Sequence, residues 1–495
     1  MNLARIVEGH PDDAVALINR GSPTTYGALR APVDAVRGGL AELGLDPGDR
    51  VGIVAANNPY FVVAYLAILG RGCVAVPLNP TSPPAELQRQ LAVVGAKALF
   101  VGPRAADAVR SLDRGSVPDL QHVVSPPGAE LEGATRMEAL LASSPVPVAD
   151  RSPSDVAVLI FTAGTAGAPK AAMLTHGSLR ANIDQVQSLP ERQIRSDDVF
   201  FGVLPLFHIF GLNVVLGVGL AAGATILLVE RFDPISALTS IRDHGVTVVA
   251  GAPPMWTAWA TMRDAPSDAF AGVRLATSGA SKLPEETAAT ISRRFGLVIA
   301  EGYGLTEASP VVTTSVAGPK TGSIGRPVPG VEVRLVEDGE DALLGDAGEI
   351  WVRGPNVFAG YWGDPDATAG ALTPDGWLRT GDVAVADDDG NLWIVDRSKD
   401  LIIVSGFNVY PAEVEEVLLE HPGIAAVAVI GVDSPYSGEA VKAYVVPEAG
   451  VALEEDEVED FCATRLARYK CPTKVMFVDE LPQGLGGKVL RRQLK

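Results

Sequence analysis

At 495 residues, 47% hydrophobic and 20% charged, the chain holds more apolar material than one small core needs, and two or more domains are expected. A formal net charge of −20 argues against nucleic acid or an anionic membrane surface as the main partner, while leaving room for a local basic pocket that binds phosphates. Cys73, Cys462 and Cys471 show no CxxC spacing and MNLARIVEGHPDDA lacks an apolar stretch of signal-peptide length, so the reading is a cytoplasmic protein without a disulfide framework or zinc site.

The front half alternates helical and strand-like segments. TYGALRAPVDAVRGGLAELG reads as a helix stopped by Gly, DRVGIVAANN as a short strand, PYFVVAYLAILGRG as a helix and CVAVPLNP as a strand; AELQRQLAVVGAKALFVG repeats the pair. This rhythm predicts parallel sheets covered by helices. Residues 60–78 and 212–229 approach the length of a membrane span. Arg71 and several glycines interrupt the first; Asn213, Gly217, Gly219 and Gly223 interrupt the second. A helix, a break at Gly223 and a buried strand ATILLVE account for the second, and no integral membrane span is expected.

The rhythm returns after residue 150 with DVAVLIFTAG, a helix over 175–188, ALTSIRDHGVTVVAGAP and AATISRRFGLVIAEGYG. From about residue 322, VEVRLVEDGE, GEIWVRGPN and GNLWIVDR are short strands between Gly and Asp turns, a small antiparallel or barrel-like element. After Asp396 come a helix AEVEEVLLEHPG, strands IAAVAVIGV and EAVKAYVVPE, a helix over EEDEVEDFCATRLARYKCP and a last strand KVMFVDELP. The expected fold is α/β. A large domain, 1–396, has two helix-covered sheets plus a small β-barrel-like element, and a small mobile α+β domain, 397–495, follows.

Five segments carry chemistry. In Phe161-Thr162-Ala163-Gly164-Thr165-Ala166-Gly167-Ala168-Pro169-Lys170, an apolar strand runs into Thr, Gly and Lys. Glycines let backbone N–H groups approach an anion, Thr hydroxyls add donors and Lys adds charge, which is what a polyphosphate needs. The spacing is not that of a GxxxxGK loop. Glu301-Gly302-Tyr303-Gly304-Leu305-Thr306-Glu307 reads as a Gly-Tyr-Gly turn offering backbone groups and an aromatic face to adenine, with Glu307 a hard oxygen ligand suited to Mg²⁺. Asp382, in Gly376-Trp377-Leu378-Arg379-Thr380-Gly381-Asp382, has two acceptor oxygens for a vicinal diol. Asp396-Arg397-Ser398-Lys399-Asp400 and Leu485-Gly486-Gly487-Lys488-Val489-Leu490-Arg491 place basic residues in a hinge-like segment and in a Gly-rich tail.

These motifs, in this order, resemble the adenylate-forming superfamily of acyl-CoA synthetases, luciferases and peptide-synthetase adenylation domains. In look the chain is similar to bacterial medium- and long-chain fatty acyl-CoA synthetases, through KAAMLTH and DLIIVSGFNVYPAEVE. The family pattern of the first motif is close to [YF]TSGTTGxPKG; Ala163, Ala166 and Ala171 depart from it, and Gly486 stands where the tail motif has Thr. The resemblance implies ATP held by Thr162, Gly164, Thr165, Gly167, Lys170, Gly302, Tyr303, Gly304, Asp382 and Arg397. It makes Lys488, Glu307, Thr306 and His208 catalytic, with Thr306 on the α-phosphate, Glu307 on Mg²⁺ and Lys488 neutralising charge as pyrophosphate leaves. His208, in Leu204-Pro205-Leu206-Phe207-His208, would wall the acid pocket with Gly279, Ala280 and Gly304; Lys399 would be the hinge, and Ser405, Gly406 and Phe407 would line the channel for CoA.

The implied reaction joins a carboxylic acid to CoA with ATP through an acyl-adenylate, releasing AMP and pyrophosphate. The small apolar walls (Gly211, Gly217, Gly279, Ala280, Val214, Val215 and Leu216) suit an alkyl chain and point to a fatty acid. Aryl or short-chain acids, a fatty acyl-AMP ligase that loads a carrier protein, a non-catalytic nucleotide- or acyl-binding protein, and a homodimer all stay open.

Overall fold

Short apolar strands that alternate with helices assemble two large sheets around a shared core. The computed structural model describes residues 1–126, 128, 131–162, 170–190, 193–397, 402–448, 450–482, 491 and 494. A seven-stranded sheet runs Thr135–Arg136, His122–Ser125, Ala98–Val101, Arg50–Val54, Val74–Leu78, Val156–Thr162, Lys170–Thr175. All its pairings are parallel except the last, where Val156–Thr162 meets Lys170–Thr175 antiparallel. A nine-stranded sheet runs Arg326–Pro327, Val311–Thr314, Ile299–Gly304, Leu275–Ser278, Val248–Gly251, Val199–Gly202, Thr225–Leu228, Val15–Asn19, Ser22–Thr25.

The helix Pro59–Arg71 is apolar all round because it is buried all round, in a core that joins Val51, Ile53 and Phe100 of the first sheet to Phe200, Ile226 and Leu227 of the second. Asn58 caps its start by accepting from Phe61 N–H, and Gly72, at φ 82°, ends it. The other face of the seven-stranded sheet, with Val54, Val76, Leu99 and Leu159, is covered by the helix Pro84–Val94 through Leu87, Leu91 and Val94. Parallel strands buried on both faces explain the continuous apolar runs.

The stretch at 212–229 is a π-helix Phe210–Gly217, an α-helical turn Val218–Ala221, the left-handed Gly223 and the strand Thr225–Leu228. Asn213 earns its place in that apolar run by donating to Leu179 O (3.2 Å) and Ser309 O (2.7 Å). No described helix is long and apolar enough to cross a membrane.

The segment from 332 forms a five-stranded antiparallel sheet ordered Glu340–Asp341, Glu332–Glu337, Gly348–Arg353, Leu378–Ala386, Leu392–Arg397. The small C-terminal domain has its own core, from Ile402 to Val475, around the strands Phe407–Val409, Ile402–Val404, Gly438–Pro447, Ile424–Ser434 and Lys474–Phe477. Its second helix is shorter than expected. The α-helix Glu455–Ala463 stops, and Arg468–Lys470 is a separate 3₁₀ turn. The ladder breaks at Arg465, whose N–H turns to Cys462 O three residues back (2.9 Å), and beyond it the Ala467 N–H donates to Glu86 Oε2 in the large domain (2.8 Å).

Candidate functional site

The two ends of the Thr-Gly segment are fixed by strand pairing. Thr162 and Lys170 are register partners, and Thr162 Oγ1–H donates to Lys170 O at 3.5 Å. Gly164, Thr165 and Gly167 lie outside the described residues, as do Lys399 and Lys488. Thr162 and Lys170 line a cavity of about 340 Å³ together with Gly302, Tyr303, Gly304, Glu307 and Asp382. Motifs far apart in sequence thus meet at one opening.

Local structure explains why these residues point there. Ile299–Gly304 is a strand, not the expected turn, and pairs antiparallel with Val311–Thr314. Gly304 is needed for close approach: a Cβ there would lie 2.2 Å from Pro310 O. The strand carries Tyr303 over the cavity, where its hydroxyl donates to Asp382 Oδ2 at 2.7 Å. Asp382 sits on Leu378–Ala386, just after Gly381, whose φ is 77°. Its strand neighbour in register is Arg397, whose side chain is outside the described set.

Glu307 follows in a 3₁₀ turn, buried, and its Oε1 accepts from the Tyr361 hydroxyl at 2.7 Å. Burial and then the Glu307 charge push the Tyr361 pKa far upward, so the phenol stays protonated and donating. Lys170 Nζ stands 5.4 Å from the same ring, which links the end of the Thr-Gly segment to Glu307 through one aromatic side chain. Glu301 lines the cavity too; its Oε2 accepts from Leu283 N–H (3.2 Å), and burial raises its pKa. Tyr361 escaped the sequence reading, since a lone Tyr after Gly360 forms no chemical pattern, and Glu301 opens the quoted segment without a role assigned to it.

A second pocket, of about 140 Å³, opens from the first. Ala280, Gly302, Tyr303, Gly304 and Leu305 line both. Its own walls include His208, Phe210, Val214, Gly279 and Thr306, so His208, Gly279, Ala280, Gly304 and Val214 come together as expected, whereas Gly211, Val215, Leu216 and Gly217 do not line it, because that face of the π-helix is buried in the core. Phe210 closes one side: a Cβ on Gly279 would lie 3.1 Å from its ring. Ser278, which sequence reading missed, lines the pocket with a buried hydroxyl that has no partner among the described residues. His208 accepts from Phe210 N–H through Nδ1 (3.2 Å), and the protein around it lowers its pKa to about 4 by burial. The ring is therefore neutral at ordinary pH.

The small domain reaches the same place. Ser405 and Gly406, at φ 53° and 88°, form the two-residue turn between Ile402–Val404 and Phe407–Val409. Gly406 lies so near the large domain that a Cβ would stand 3.3 Å from Ala280 and 3.4 Å from Ala252. Phe407 stacks on Tyr469 (4.6 Å between centroids) and on Phe207 (6.1 Å), with its edge geometry to His208 at 6.0 Å. Among the described residues no cluster of three His, Cys, Asp or Glu could hold a metal ion by itself. A cation at Glu307 would need oxygens from a bound nucleotide, and the single buried carboxylate on the cavity wall fits that donor set.

Residues 3–362 match the sequence profile of the AMP-binding enzymes, and residues 413–488 that of the AMP-binding enzyme C-terminal domain. A feruloyl-CoA synthase of an Amycolatopsis species is 39% identical, with 97% of this chain and 95% of that protein covered. A long-chain-fatty-acid–CoA ligase of Escherichia coli O157:H7 is 36% identical over 98% of this chain and 91% of its own. The structure of Bacillus subtilis o-succinylbenzoate CoA synthetase with a product analogue superposes with a TM-score of 0.87 at 29% identity, covering 100% of this chain and 98% of that one.

Proposed function

The chain belongs to the AMP-binding enzymes and is an acyl- or aryl-CoA ligase, and from that premise we propose that its acid is compact: an aromatic or short apolar carboxylic acid. The observation that carries this reading is the acid pocket. Its volume of about 140 Å³ is close to that of the ~150 Å³ apolar cavity known to hold one benzene ring. Phe210 limits it on one side, and the unpaired Ser278 hydroxyl offers a polar contact suited to a ring substituent. The similarity to a feruloyl-CoA synthase supports the same class. A fatty acid remains the second reading, favoured by the apolar lining of Val186, Leu189 and Val214 and by the similarity to the bacterial long-chain ligase.

In this reading ATP occupies the larger cavity. Tyr303 orients the Asp382 carboxylate for the ribose hydroxyls. Thr162 and Lys170 bracket the triphosphate with Gly164, Thr165 and Gly167, and Arg397 serves the ribose. Glu307 would hold Mg²⁺, which neutralises phosphate charge when bound. The acid carboxylate attacks the α-phosphate and pyrophosphate leaves, with Thr306 and Lys488 stabilising the developing charge. The thiolate of CoA then attacks the acyl carbon of the mixed anhydride, and AMP departs. The domain boundary falls at 396/397, with Lys399 as hinge, and the Ser405-Gly406-Phe407 turn borders the thiol's route. Neutral His208 walls the acid and takes no proton.

The test is AMP release with a panel of acids, with and without CoA. Ferulate- or coumarate-sized acids are expected to give the highest kcat/KM. A maximum with acids of twelve or more carbons, with aromatic acids inert, would replace this reading with the fatty one.

A further inference from the structure

Outside both cavities, a charged cluster joins the two domains. Lys470 Nζ lies 2.7 Å from Glu86 Oε1 and 2.7 Å from Glu413 Oε1, and the Ala467 N–H donates to Glu86 Oε2 at 2.8 Å. Glu86 stands in the first turn of the helix Pro84–Val94 of the large domain; Glu413, Ala467 and Lys470 belong to the small one. The three charged side chains are only 3–6% exposed. Nearby, Arg89 Nη2–H donates to Arg465 O at 3.2 Å across the same seam. Burial opposes the charge on Lys470, but Tyr469, Glu86 and Glu413 outweigh it and keep the ammonium protonated.

Buried charges persist only when their partners are in place, and losing one partner strands the rest. Glu413 and Lys470 travel together. Glu86 does not: Gln90 apart, the hydrogen bonds of its side chain among the described residues go to the small domain. Its contribution therefore exists only while the domains sit as they do here, with Gly406 against Ala280 and Phe407 against Phe207 and His208. Lys470 directly follows Tyr469, the ring on which Phe407 stacks, and Glu86, Phe407, His208 and Lys470 line one narrow cavity of about 70 Å³. The same contact that closes the seam thus bears on Phe407, the ring set against His208.

Resting on the ligase reading above, we propose that Glu86, Lys470 and Glu413 form a clasp that fixes the small domain in the arrangement for thiol attack. They are positioning residues for the second half-reaction and not for adenylation. Without the clasp the small domain samples other orientations, and Phe407 is in place against Phe207 and His208 for a smaller fraction of the time.

The experiment measures the two half-reactions separately in Glu86→Gln and Lys470→Met, with the best acid from the panel. ATP–pyrophosphate exchange is expected to stay within about twofold of the unsubstituted enzyme, while CoA-dependent breakdown of preformed acyl-adenylate falls at least ~tenfold, the signature of a lost population rather than lost chemistry. Lys470→Arg, which keeps the charge, should recover part of the second rate. Should Lys470→Met fail to fold, Glu86→Gln carries the test, because that side chain's charged partner lies in the other domain. Equal loss in both half-reactions, or loss in neither, overturns the clasp alone. Absence of exchange in the unsubstituted enzyme with every acid overturns the ligase reading, and the clasp with it.

Discussion

The two cavities that meet at Gly302–Gly304 are built in opposite ways. The side proposed for the nucleotide carries ionisable groups, three of them held by a partner from another element: Asp382 by Tyr303, Glu307 by Tyr361, Glu301 by Leu283 N–H. The side proposed for the acid is walled mostly by small and apolar residues, with His208, Asn408 and a few threonines among them and, among the described residues, an unpaired hydroxyl at Ser278. A polyphosphate and a ribose demand particular charges and hydrogen bonds in particular places, so the first wall is prescribed by its ligand. An apolar acid demands only volume and shape, so the second wall is free to vary.

If that contrast is right, a single carboxylate should matter most on the nucleotide side. Glu307→Gln removes the charge at the cavity wall while keeping its shape. Adenylation kcat/KM is expected to fall by ~10²–10³, as when one preorganised charge-stabilising group is lost, with the KM for the acid within about twofold. Steady-state kinetics with each substrate varied in turn check this. A large change in acid KM would mean that the two walls are not separable.

The acid side should yield to volume instead. Gly279→Leu extends a side chain into a pocket where a Cβ alone already meets Phe210 at 3.1 Å. The kcat/KM for an aromatic acid is expected to drop at least ~tenfold, the scale on which a pocket discriminates a methylene or two, with ATP KM unchanged. An acid panel run on the variant sharpens the comparison further: the preference should move to smaller acids, not to none.

The same contrast explains what could be read before the structure. That Thr162, Lys170, Glu307 and Asp382 belong together was legible, because the chemistry proposed for them has few substitutes, and the structure brings them to one cavity. The alternation of the front half was legible because parallel strands buried on both faces leave continuous apolar runs. Tyr361 was not, since its role exists only after 54 residues of chain fold back to bring its hydroxyl onto Glu307. The Gly-Tyr-Gly strand was misread as a turn because glycines that permit close packing look, in sequence, like glycines that permit a bend. The turn that follows the early end of the last helix was hidden for a similar reason: Glu86, which takes the Ala467 N–H there, lies 381 residues away. Size of the acid pocket was the least legible feature, because it is set by Phe210 meeting Gly279 from a π-helical turn that no local pattern announced.

His208, on the wall of the smaller pocket, gives the smallest predicted effect. Its pKa is about 4 in the folded chain because burial disfavours the cation, against ~6.5 when unfolded. Between those values the unfolded state binds a proton that the folded state refuses, so stability falls as pH drops from 6.5 towards 4 and levels off below. The contribution is at most ~1.4 kcal/mol per pH unit for one such group. His176, buried and lowered to about 4 by the same cause, adds a second term of the same sign. In urea titrations from pH 7 to pH 4, His208→Gln should therefore lose stability less steeply than the unsubstituted chain, by no more than one proton's worth of slope. The adenylation rate of the unsubstituted enzyme should show no inflection near pH 6.5 that disappears in the variant. Such an inflection would mean that the imidazole does take a proton on the pocket wall, and that the wall around it is wetter than its contacts with Phe210 and Phe407 imply.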